Sequence, residues 1–455
     1  MNQETLYALV RQINTDYLGP VLVFALLGAG MYFTIRLRFV PKYYWRAIKA
    51  IFTASHDKSR ATDLGGMSPI QALSTAIASQ VGTGNIVGVA MAVMMGGPGA
   101  LFWLWMGALL GMSTNFAEAV LGIAYKRHTA DGHLVGGPAF YIRYGLGSRV
   151  LAAVFAVCFI LAVVIGIMVQ ANSISTAVTT LFPDSLNPIW MGVALAVLLA
   201  FVLVGGIGRI ASFAERVVPL MAGLFLVGSL IFIAMHLSRL IPALTSIVSC
   251  AFTPKAGVGG AAGIAVMTAV RYGVSRGLFS NEAGLGTTPH AHAIAKVKHP
   301  YEQGMMAIIS IGVDVLVCTF TGLVLLLSGV LDAPNGRVGI QLVQSAFDSS
   351  FGAAGTWLIA VSLFFFALTT IVGWYFFAAQ NVRYLWGEKP IRAYRLVVLA
   401  LVVVASVVEV PLIWELCDTF NFFVVVPNII ALVWLSPKVA DEVERMRDAL
   451  GKHKQ

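Results

Sequence analysis

The sequence predicts an all-α polytopic membrane protein with eleven transmembrane helices: one extra N-terminal helix and a core of two inverted five-helix repeats. Three observations indicate this fold class, namely an apolar composition, an uneven distribution of lysine and arginine, and two broken helices in matching positions. Of the 455 residues, 58% are hydrophobic and 11% are charged, whereas soluble domains average about 25% charged residues. So few polar residues could not cover a soluble surface, and we therefore expect a chain embedded in lipid.

Eleven apolar segments are long enough to cross a bilayer, which requires about 20 residues in a helix. They cover residues 18–38, 68–95, 99–124, 150–172, 189–206, 213–236, 262–288, 304–330, 354–382, 393–409 and 411–435. The GGPG sequence at 96–99 predicts a tight turn between the second and third spans. The VEVP sequence that ends at Pro411 separates the last two.

Lysine and arginine are concentrated on one side of these spans. If the loop after the first span is cytoplasmic, 24 of the 30 basic residues lie on that side, 4 lie on the other and 2 lie within a span. The positive-inside rule then predicts an external N-terminus and a cytoplasmic C-terminus. The net charge of +9 is thereby explained by topology, and we expect no nucleic-acid partner. The basic, aromatic segment from Pro41 to Ile51 is either a helix on the membrane surface or a solvated loop helix.

The second and seventh spans are interrupted by glycines and polar residues. SQVGTGNIVG at 79–88 lies in a run without charged residues between Asp63 and Glu118, and FSNEAGLGT at 279–287 lies in the seventh span. Glycine weakens a helix by about 0.5–1 kcal/mol relative to alanine, and unpaired backbone groups in lipid cost about several kcal/mol each. Such interruptions persist where they line a protected cavity, although close helix packing is the alternative explanation for a glycine such as Gly88.

The two interruptions occupy corresponding places in the chain. Without the first span, ten spans remain, and they form two halves of five that cross the membrane in opposite directions. Each half begins with an interrupted helix, which indicates a transporter site near the middle of the membrane. Unpaired N–H groups at such a break attract an anion and unpaired carbonyls attract a cation. A small zwitterion or a metal ion can then be bound without buried charged side chains, and we expect no Arg–Asp pair at mid-depth.

These patterns predict five regions. They are 1–62, the N-terminal helix with the basic segment; 63–236, the first inverted repeat; 237–261, an external loop; 262–435, the second inverted repeat; and 436–455, a cytoplasmic tail. The glycine-rich part of the external loop is a candidate lid.

Four motifs resemble those of a known transporter family. SQVGTGNIVGVA (79–90), GGPGALFWLW (96–105), GGPAFYI (136–142) and FSNEAGLGTTP (279–289) resemble the alanine/glycine:cation symporter family over nearly the whole chain. The resemblance implies the leucine-transporter-like fold of the APC superfamily, with one extra helix ahead of ten core helices. It also implies co-transport of sodium ion with a small amino acid, alanine or in some members glycine, across a bacterial or archaeal cytoplasmic (inner) membrane. It leaves the oligomeric state open.

The resemblance also implies roles for individual residues. The first core helix of this fold unwinds between Val81 and Asn85, where the amides of Thr83 and Gly84 would bind a carboxylate, and carbonyls around Phe279 would bind the ammonium group. The implied substrate-binding residues are Gln80, Thr83, Gly84, Asn85, Ile167, Phe279, Ser280, Asn281, Thr370 and Trp374. The implied sodium ligands are Ala78, Val81, Thr369 and Thr370.

The ninth span carries two of these features within one helix. Thr369 and Thr370 offer hydroxyl oxygens for a cation, and the alternative for each is a hydrogen bond to its own i−4 carbonyl. Trp374 follows Thr370 by four residues, so both lie on one helix face. An indole there would admit a methyl group but not a leucine side chain, with Ile167 and Phe279 as further walls. The alternative for Trp374 is a lipid-facing position.

Three acidic residues near or within the spans, Glu118, Glu282 and Asp314, are functional candidates because buried ionisable groups are costly in a membrane. For Glu282 two roles stay open. One is proton coupling, and the other is a structural role in which it accepts hydrogen bonds from opened backbone or pairs with Arg276.

Other motifs predict no enzyme and no resident metal. His290 and His292, two residues apart, do not share a helix face, and we expect them in a cytoplasmic loop. The four cysteines contain no CxxC pair, which indicates neither a disulfide framework nor a zinc site. The runner-up function is a proton- or sodium-coupled carrier of another small zwitterion or amine, and a channel is a third possibility.

Overall fold

The computed structural model describes residues 3–54, 66–129, 132, 134–181, 187–252, 261–331, 337–408 and 411–452. The helices up to residue 252 are α1 Gln3–Ile13, α2 Gly19–Arg36, α3 Tyr44–Ala54, α4 Pro69–Gln80, α5 Val89–Gly96, α6 Gly99–Ala124, α7 Pro138–Tyr144, α8 Arg149–Leu181, α9 Pro188–Leu203, α10 Gly206–Met235 and α11 Leu237–Phe252. The helices that follow are α12 Ala261–Asn281, α13 Pro289–Ala293, α14 Pro300–Ser328, α15 Ile340–Phe351, α16 Ala353–Trp386, α17 Ile391–Ala405, α18 Pro411–Trp434 and α19 Ser436–Lys452. Two π-helical turns (Asn14–Leu18 and Gly84–Gly88), a 3-10 turn (Val40–Tyr43) and an antiparallel pair, β1 Arg127–His128 with β2 Leu134–Val135, are also present.

Seven helical segments of the described residues are long and apolar enough to cross a membrane. They match the first, third, fourth, sixth, eighth, ninth and eleventh predicted spans, and the bent pair formed by α4 and α5 makes an eighth. Two further apolar helices, α9 and α11, are shorter. The chain is therefore a multi-pass helical membrane protein, as its composition predicts.

Three predicted segments differ from the structure. The first span, predicted at 18–38, is helical from Glu4 to Arg36, because a π-helical turn joins α1 to α2 without a break. The seventh span, predicted at 262–288, stops as a helix at Asn281. The predicted external loop contains the 16-residue helix α11. Its residues 253–260, the predicted boundary at 62–63 and part of the VEVP turn lie outside the described residues.

The first interrupted helix begins at a defined cap. The Ser68 hydroxyl accepts a hydrogen bond from the Gln71 N–H at 3.1 Å, and the Gln71 side chain accepts one from the Ser68 N–H at 3.1 Å. This reciprocal capping box, with Pro69 at the first helical position, satisfies donors that a helix start leaves free. At the other end, Gly97 has a φ of +68°, which favours glycine and turns the chain directly into α6.

Long helices enclose both interruptions. α6 packs against α12 and α14, α8 packs against α16 and α18, and α4 contacts α10, α14 and α16. Val81 and Thr83 at the first interruption are buried, and so are Glu282 and Ala283 at the second. Protein side chains rather than lipid therefore surround the opened backbone.

Candidate functional site

The first interruption is a short non-helical stretch with new hydrogen-bond partners. α4 ends at Gln80, Val81 is extended with φ −86° and ψ 90°, and the two helical parts are bent by 50°. The Gly82 N–H donates to Asn85 Oδ1 at 2.9 Å, and the Thr83 N–H donates to Gln170 Oε1 at 3.4 Å. Side chains thus replace part of the bonding that the break removes, as opened backbone inside a membrane requires.

The second interruption follows α12 and contains three left-handed residues. Glu282, Gly284 and Gly286 have φ values of +57°, +85° and +72°. The carboxylate of Glu118 accepts hydrogen bonds from the N–H groups of Gly284 at 3.1 Å and Gly286 at 2.9 Å. Asn428 donates to Glu118 Oε1 at 2.6 Å and to the Gly284 carbonyl at 2.9 Å. Glu118 and Asn428 therefore hold this opened backbone, and sequence analysis did not predict their partners.

The two interruptions touch each other. Gln80 Nε2 donates to the carbonyl oxygen of Asn281 at 2.7 Å. Asp314 Oδ1, on α14, accepts from Asn85 Nδ2 at 2.6 Å and from the Ser280 hydroxyl at 2.7 Å. One buried carboxylate thus bonds a side chain from each interruption, which fixes the two broken helices relative to one another.

A cavity of about 130 Å³ lies where the interruptions meet. Six of the predicted substrate-binding residues line it: Gln80, Thr83, Gly84, Phe279, Ser280 and Trp374. The other four do not. Asn85 and Asn281 point into the surrounding hydrogen-bond network, Thr370 faces the end of α4, and Ile167 is buried beside the lining residue Gly166. The indole of Trp374 forms a wall of this cavity.

Charged side chains also line the cavity, contrary to expectation. Arg276 on α12, Glu282 in the second interruption and Asp418 on α18 are all among the lining residues, whereas the sequence led us to expect no Arg–Asp pair at mid-depth. Asp418 is an ionisable residue inside the eleventh predicted span, a signal that marks a functional candidate and that the prediction overlooked. Gln170, a polar residue in the fourth span, was missed in the same way.

Glu282 bonds side chains from three elements. Its Oε1 accepts from Trp374 Nε1 at 2.7 Å, and its Oε2 accepts from the hydroxyls of Ser79 at 2.9 Å and Thr287 at 2.7 Å. The partners suggested by the sequence, opened backbone or Arg276, are not the ones that these bonds show.

Oxygen atoms converge beside the first interruption. The Thr370 hydroxyl oxygen lies 3.1 Å from the Ala78 carbonyl and 3.4 Å from the Val81 carbonyl. It also lies 2.9 Å from the Phe366 carbonyl, its own i−4 group. One hydroxyl proton can bond only one of these acceptors fully. The cluster therefore holds more lone pairs than protons, an environment that suits a cation bound by carbonyls of an unwound helix.

Thr369 is oriented differently from Thr370. Its hydroxyl lies 2.9 Å from the Phe365 carbonyl, its i−4 group, and 3.0 Å from the Phe366 carbonyl. It therefore shares the Phe366 oxygen with Thr370 but, within the part of the chain that the structure describes, makes no hydrogen bond to Ala78 or Val81. Of the two adjacent threonines, Thr370 is the one that reaches the first interruption.

The two histidines of PHAHA are buried, so their prediction as loop residues is wrong. They lie in the short helix α13, and their exposed fractions are 1% for His290 and 0% for His292. His290 Nε2 accepts from Asn381 at 2.8 Å, and His292 Nδ1 accepts from Gln303 at 2.7 Å. Burial lowers the pKa of His290 to about 4 and that of His292 to about 3. Both are therefore neutral packing residues near neutral pH.

The interrupted span of α4 and α5 meets the opened backbone after α12 at this cavity, and the overall fold is similar to the leucine-transporter fold. The structure of MhsT in complex with L-phenylalanine matches with a TM-score of 0.54 at 14% identity, over 83% of this chain and 98% of that chain. The model of the sodium:alanine symporter family matches residues 3–455. The chain belongs to this family of transporters, which confirms the resemblance that its motifs predict.

Curated relatives carry different names. The sodium/alanine symporter AgcS of Methanococcus maripaludis is 38% identical, over 97% of both chains. The uncharacterized transporter YflA of Bacillus subtilis is 40% identical, over 96% of this chain and 92% of that protein. The probable sodium/glutamine symporter GlnT of the same organism is 35% identical, over 96% of this chain and 90% of that protein. Membership of the family therefore leaves the individual substrate open.

Proposed function

We propose that the chain is a sodium-coupled symporter that imports a small neutral amino acid, alanine and also glycine, by alternating access. The observation that carries this proposal is the oxygen cluster of Thr370, Ala78 and Val81, which lies directly behind a cavity lined by both interruptions. One break thus offers its backbone N–H groups to the carboxylate of the substrate and its carbonyls to the sodium ion. The family, with a relative named as a sodium/alanine symporter, supports the same assignment.

The substrate is held mainly by opened backbone. The N–H groups of Thr83 and Gly84 bind the carboxylate at the point where the helix restarts. The Thr83 N–H would exchange its long hydrogen bond to Gln170, 3.4 Å, for the one to the substrate. Carbonyls of Phe279 and Ser280 bind the ammonium group. Gln80 Oε1 supplies a further acceptor, since it is buried and has no hydrogen-bond partner among the described residues.

The other predicted substrate residues orient the opened backbone or shape the cavity. Asn85 fixes the Gly82 N–H and Asn281 receives the Gln80 amide, so each orients the opened backbone. Trp374 closes the cavity on the side-chain end of the substrate, and Ile167 packs behind that end.

Sodium is the co-transported ion. Its ligands are the carbonyls of Ala78 and Val81 and the hydroxyl of Thr370. The hydroxyl of Thr369, the fourth predicted ligand, faces the Phe365 and Phe366 carbonyls and would have to rotate to join them. Sodium and the amino acid bind at the same interruption. Sodium should therefore tighten amino-acid binding, and the amino acid should tighten sodium binding by the same factor. This reciprocity ties the two fluxes together.

The topology proposed for this cycle has eleven spans with the N-terminus outside and the C-terminus in the cytoplasm. The repeats 63–236 and 262–435 are inverted relative to each other, and each contributes one broken helix to the site. Rocking of the repeats around the cavity would expose the same ligand set first to the outside and then to the cytoplasm of a bacterial or archaeal inner membrane.

The alternative is a proton- or sodium-coupled carrier of another small zwitterion or amine. The relative named GlnT and a relative named as a putative sodium/proton-dependent alanine carrier favour it. A channel is the third class, and it predicts flux that does not saturate.

Uptake of labelled alanine into proteoliposomes tests the proposal. An inward sodium gradient should drive saturable accumulation, and replacement of sodium by choline should abolish it. Accumulation driven by a proton gradient without sodium would favour the alternative. Competition by unlabelled glycine, glutamine and leucine would rank the substrates.

A further inference from the structure

The cavity wall formed by Trp374 is held at both of its edges. Its Nε1–H donates to Glu282 Oε1 at 2.7 Å. At the opposite edge, a Cβ atom on residue 166 would lie 2.4 Å from Cζ3 of the indole, a distance that real Cβ atoms do not adopt. Only glycine leaves room for the ring at this place, so Gly166 and Glu282 together define one position of the indole.

The carboxylate that holds Trp374 is itself fixed. Glu282 is 2% exposed, and its other oxygen accepts from the hydroxyls of Ser79 and Thr287. Ser79 belongs to α4 and Thr287 follows the second interruption. The position of the indole is thus tied to both interruptions.

The backbone at Glu282 supports a specific role for this side chain. Its φ of +57° lies in the left-handed region, which a non-glycine residue adopts only at an energetic cost and which is found more often at functional sites. Neighbouring Gly284 and Gly286 adopt the same region without that cost. A glutamate occupies this left-handed position, and its side chain reaches Trp374.

From this geometry we infer that Glu282 is the residue that sets the size limit of the substrate side chain, by positioning the indole of Trp374 against Gly166. This inference rests on the proposed amino-acid site. Glu282 is a positioning residue: although it lines the cavity, its two oxygens face three donors, Trp374, Ser79 and Thr287, and its effect on the substrate passes through the indole. The size limit would otherwise depend on a freely rotating tryptophan.

The test compares amino acids of increasing side-chain size in proteoliposomes, with the ratio of kcat/KM for leucine to that for alanine as the readout. Glu282→Ala removes the acceptor, so the indole can leave its position. The ratio should then rise about tenfold or more, which is the discrimination that a pocket achieves between substrates that differ by one or a few methylene groups. Glu282→Gln keeps an oxygen that accepts the indole N–H, and it should retain the wild-type ratio. Ser79 and Thr287 can accept from its amide, because hydroxyls rotate.

Two further variants test the indole from its other side. Trp374→Phe deletes the donor and should raise the leucine to alanine ratio as Glu282→Ala does. Gly166→Ala should push the ring into the cavity and shift the preference from alanine to glycine. These two variants keep the inference testable if Glu282→Ala does not fold.

Three results would overturn the inference. The first is an unchanged ratio in both Glu282→Ala and Trp374→Phe. The second is equal loss of uptake of every amino acid in Glu282→Gln and Glu282→Ala, which would assign the carboxylate to the ammonium group or to proton coupling. The third is no shift toward glycine in Gly166→Ala. The comparison uses side-chain sizes relative to whichever amino acid the wild-type protein transports. A failure of alanine or of sodium dependence in the wild type therefore contradicts the proposed function and leaves this inference standing.

Discussion

The hydroxyl oxygen of Thr370 on α16 lies 3.1 Å from the carbonyl oxygen of Ala78 in the last turn of α4. This contact joins a continuous helix to the end of a broken one. Because the carbonyls at that end lack helical donors, a hydroxyl in this position completes an oxygen cluster instead of packing against lipid. The cation proposed for the site would be held between two helices.

Replacement of Thr370 by valine should weaken sodium binding and keep the fold. Valine preserves the shape but removes the oxygen that faces Ala78 and Val81. Loss of one such ligand is worth roughly 1–2 kcal/mol, so the sodium concentration for half-maximal uptake should rise about tenfold. The matched control is Thr321→Val on α14, since Thr321 is equally buried and, among the described residues, its hydroxyl bonds its own i−4 carbonyl alone, at 3.0 Å. Equal sodium affinity in both variants would remove Thr370 from the cation site.

Replacement of Gly82 by alanine should abolish coupled uptake. A Cβ atom there would lie 2.6 Å from the hydroxyl oxygen of Thr370, so the hydroxyl must move away from the carbonyls that it faces. Gly223→Ala on α10 is the control, because a Cβ atom there meets nothing within 4 Å. Sodium-driven uptake of labelled amino acid should be lost in the first variant and kept in the second. Normal uptake by Gly82→Ala would argue against a tight oxygen cluster.

Removal of the Glu118 carboxylate should destabilise the second interruption. In Glu118→Ala the N–H groups of Gly284 and Gly286 and the amide of Asn428 lose their acceptor, and each buried orphan costs about 1–3 kcal/mol. The midpoint of thermal unfolding in detergent should therefore fall clearly below that of the wild type. Glu444→Gln, at an exposed position of α19, should leave the midpoint unchanged. A midpoint unaffected by Glu118→Ala would show that other groups support this backbone.

Because His290 and His292 are buried, we expect the free energy of unfolding to decrease in acid. Burial lowers the pKa of His290 to about 4 and of His292 to about 3, whereas an unfolded histidine titrates near about 6.5. Each therefore stabilises the fold above about pH 6.5, and the contribution is lost as the pH falls toward the folded pKa, roughly 2 kcal/mol per histidine at pH 5. Thermal unfolding at pH 5 and pH 7.5 measures this difference. His292→Gln should reduce it relative to His299→Gln, an exposed control; an equal pH dependence in both variants would contradict the assignment.

Much of the architecture follows from local sequence patterns. The span at 99–124 and the turn before it are found at the predicted residues, because the GGPG sequence ends one helix and the apolar run that follows it forms the next. The glycine clusters at 82–84 and 284–286 predict where the helices open, since opened backbone in lipid needs protected surroundings. These signals act over a few residues and need no knowledge of helix packing.

The partners of individual side chains were harder to predict. Gln170 reaches the first interruption, Gly166 accommodates Trp374 and Asp418 lines the cavity, and all three depend on how distant helices rotate and pack. The burial of His290 likewise depends on its packing against Phe159 and Phe377, which a local motif does not reveal. Thr369 and Thr370 are equivalent in sequence, and only the rotation of α16 distinguishes them.

The most direct measurement is an experimental structure determined with sodium and alanine bound. The account predicts alanine in the cavity, with its carboxylate on the N–H groups of Thr83 and Gly84, and sodium among the oxygens of Ala78, Val81 and Thr370. Continuous helical hydrogen bonding through both glycine clusters, or an amino acid bound away from them, would contradict it.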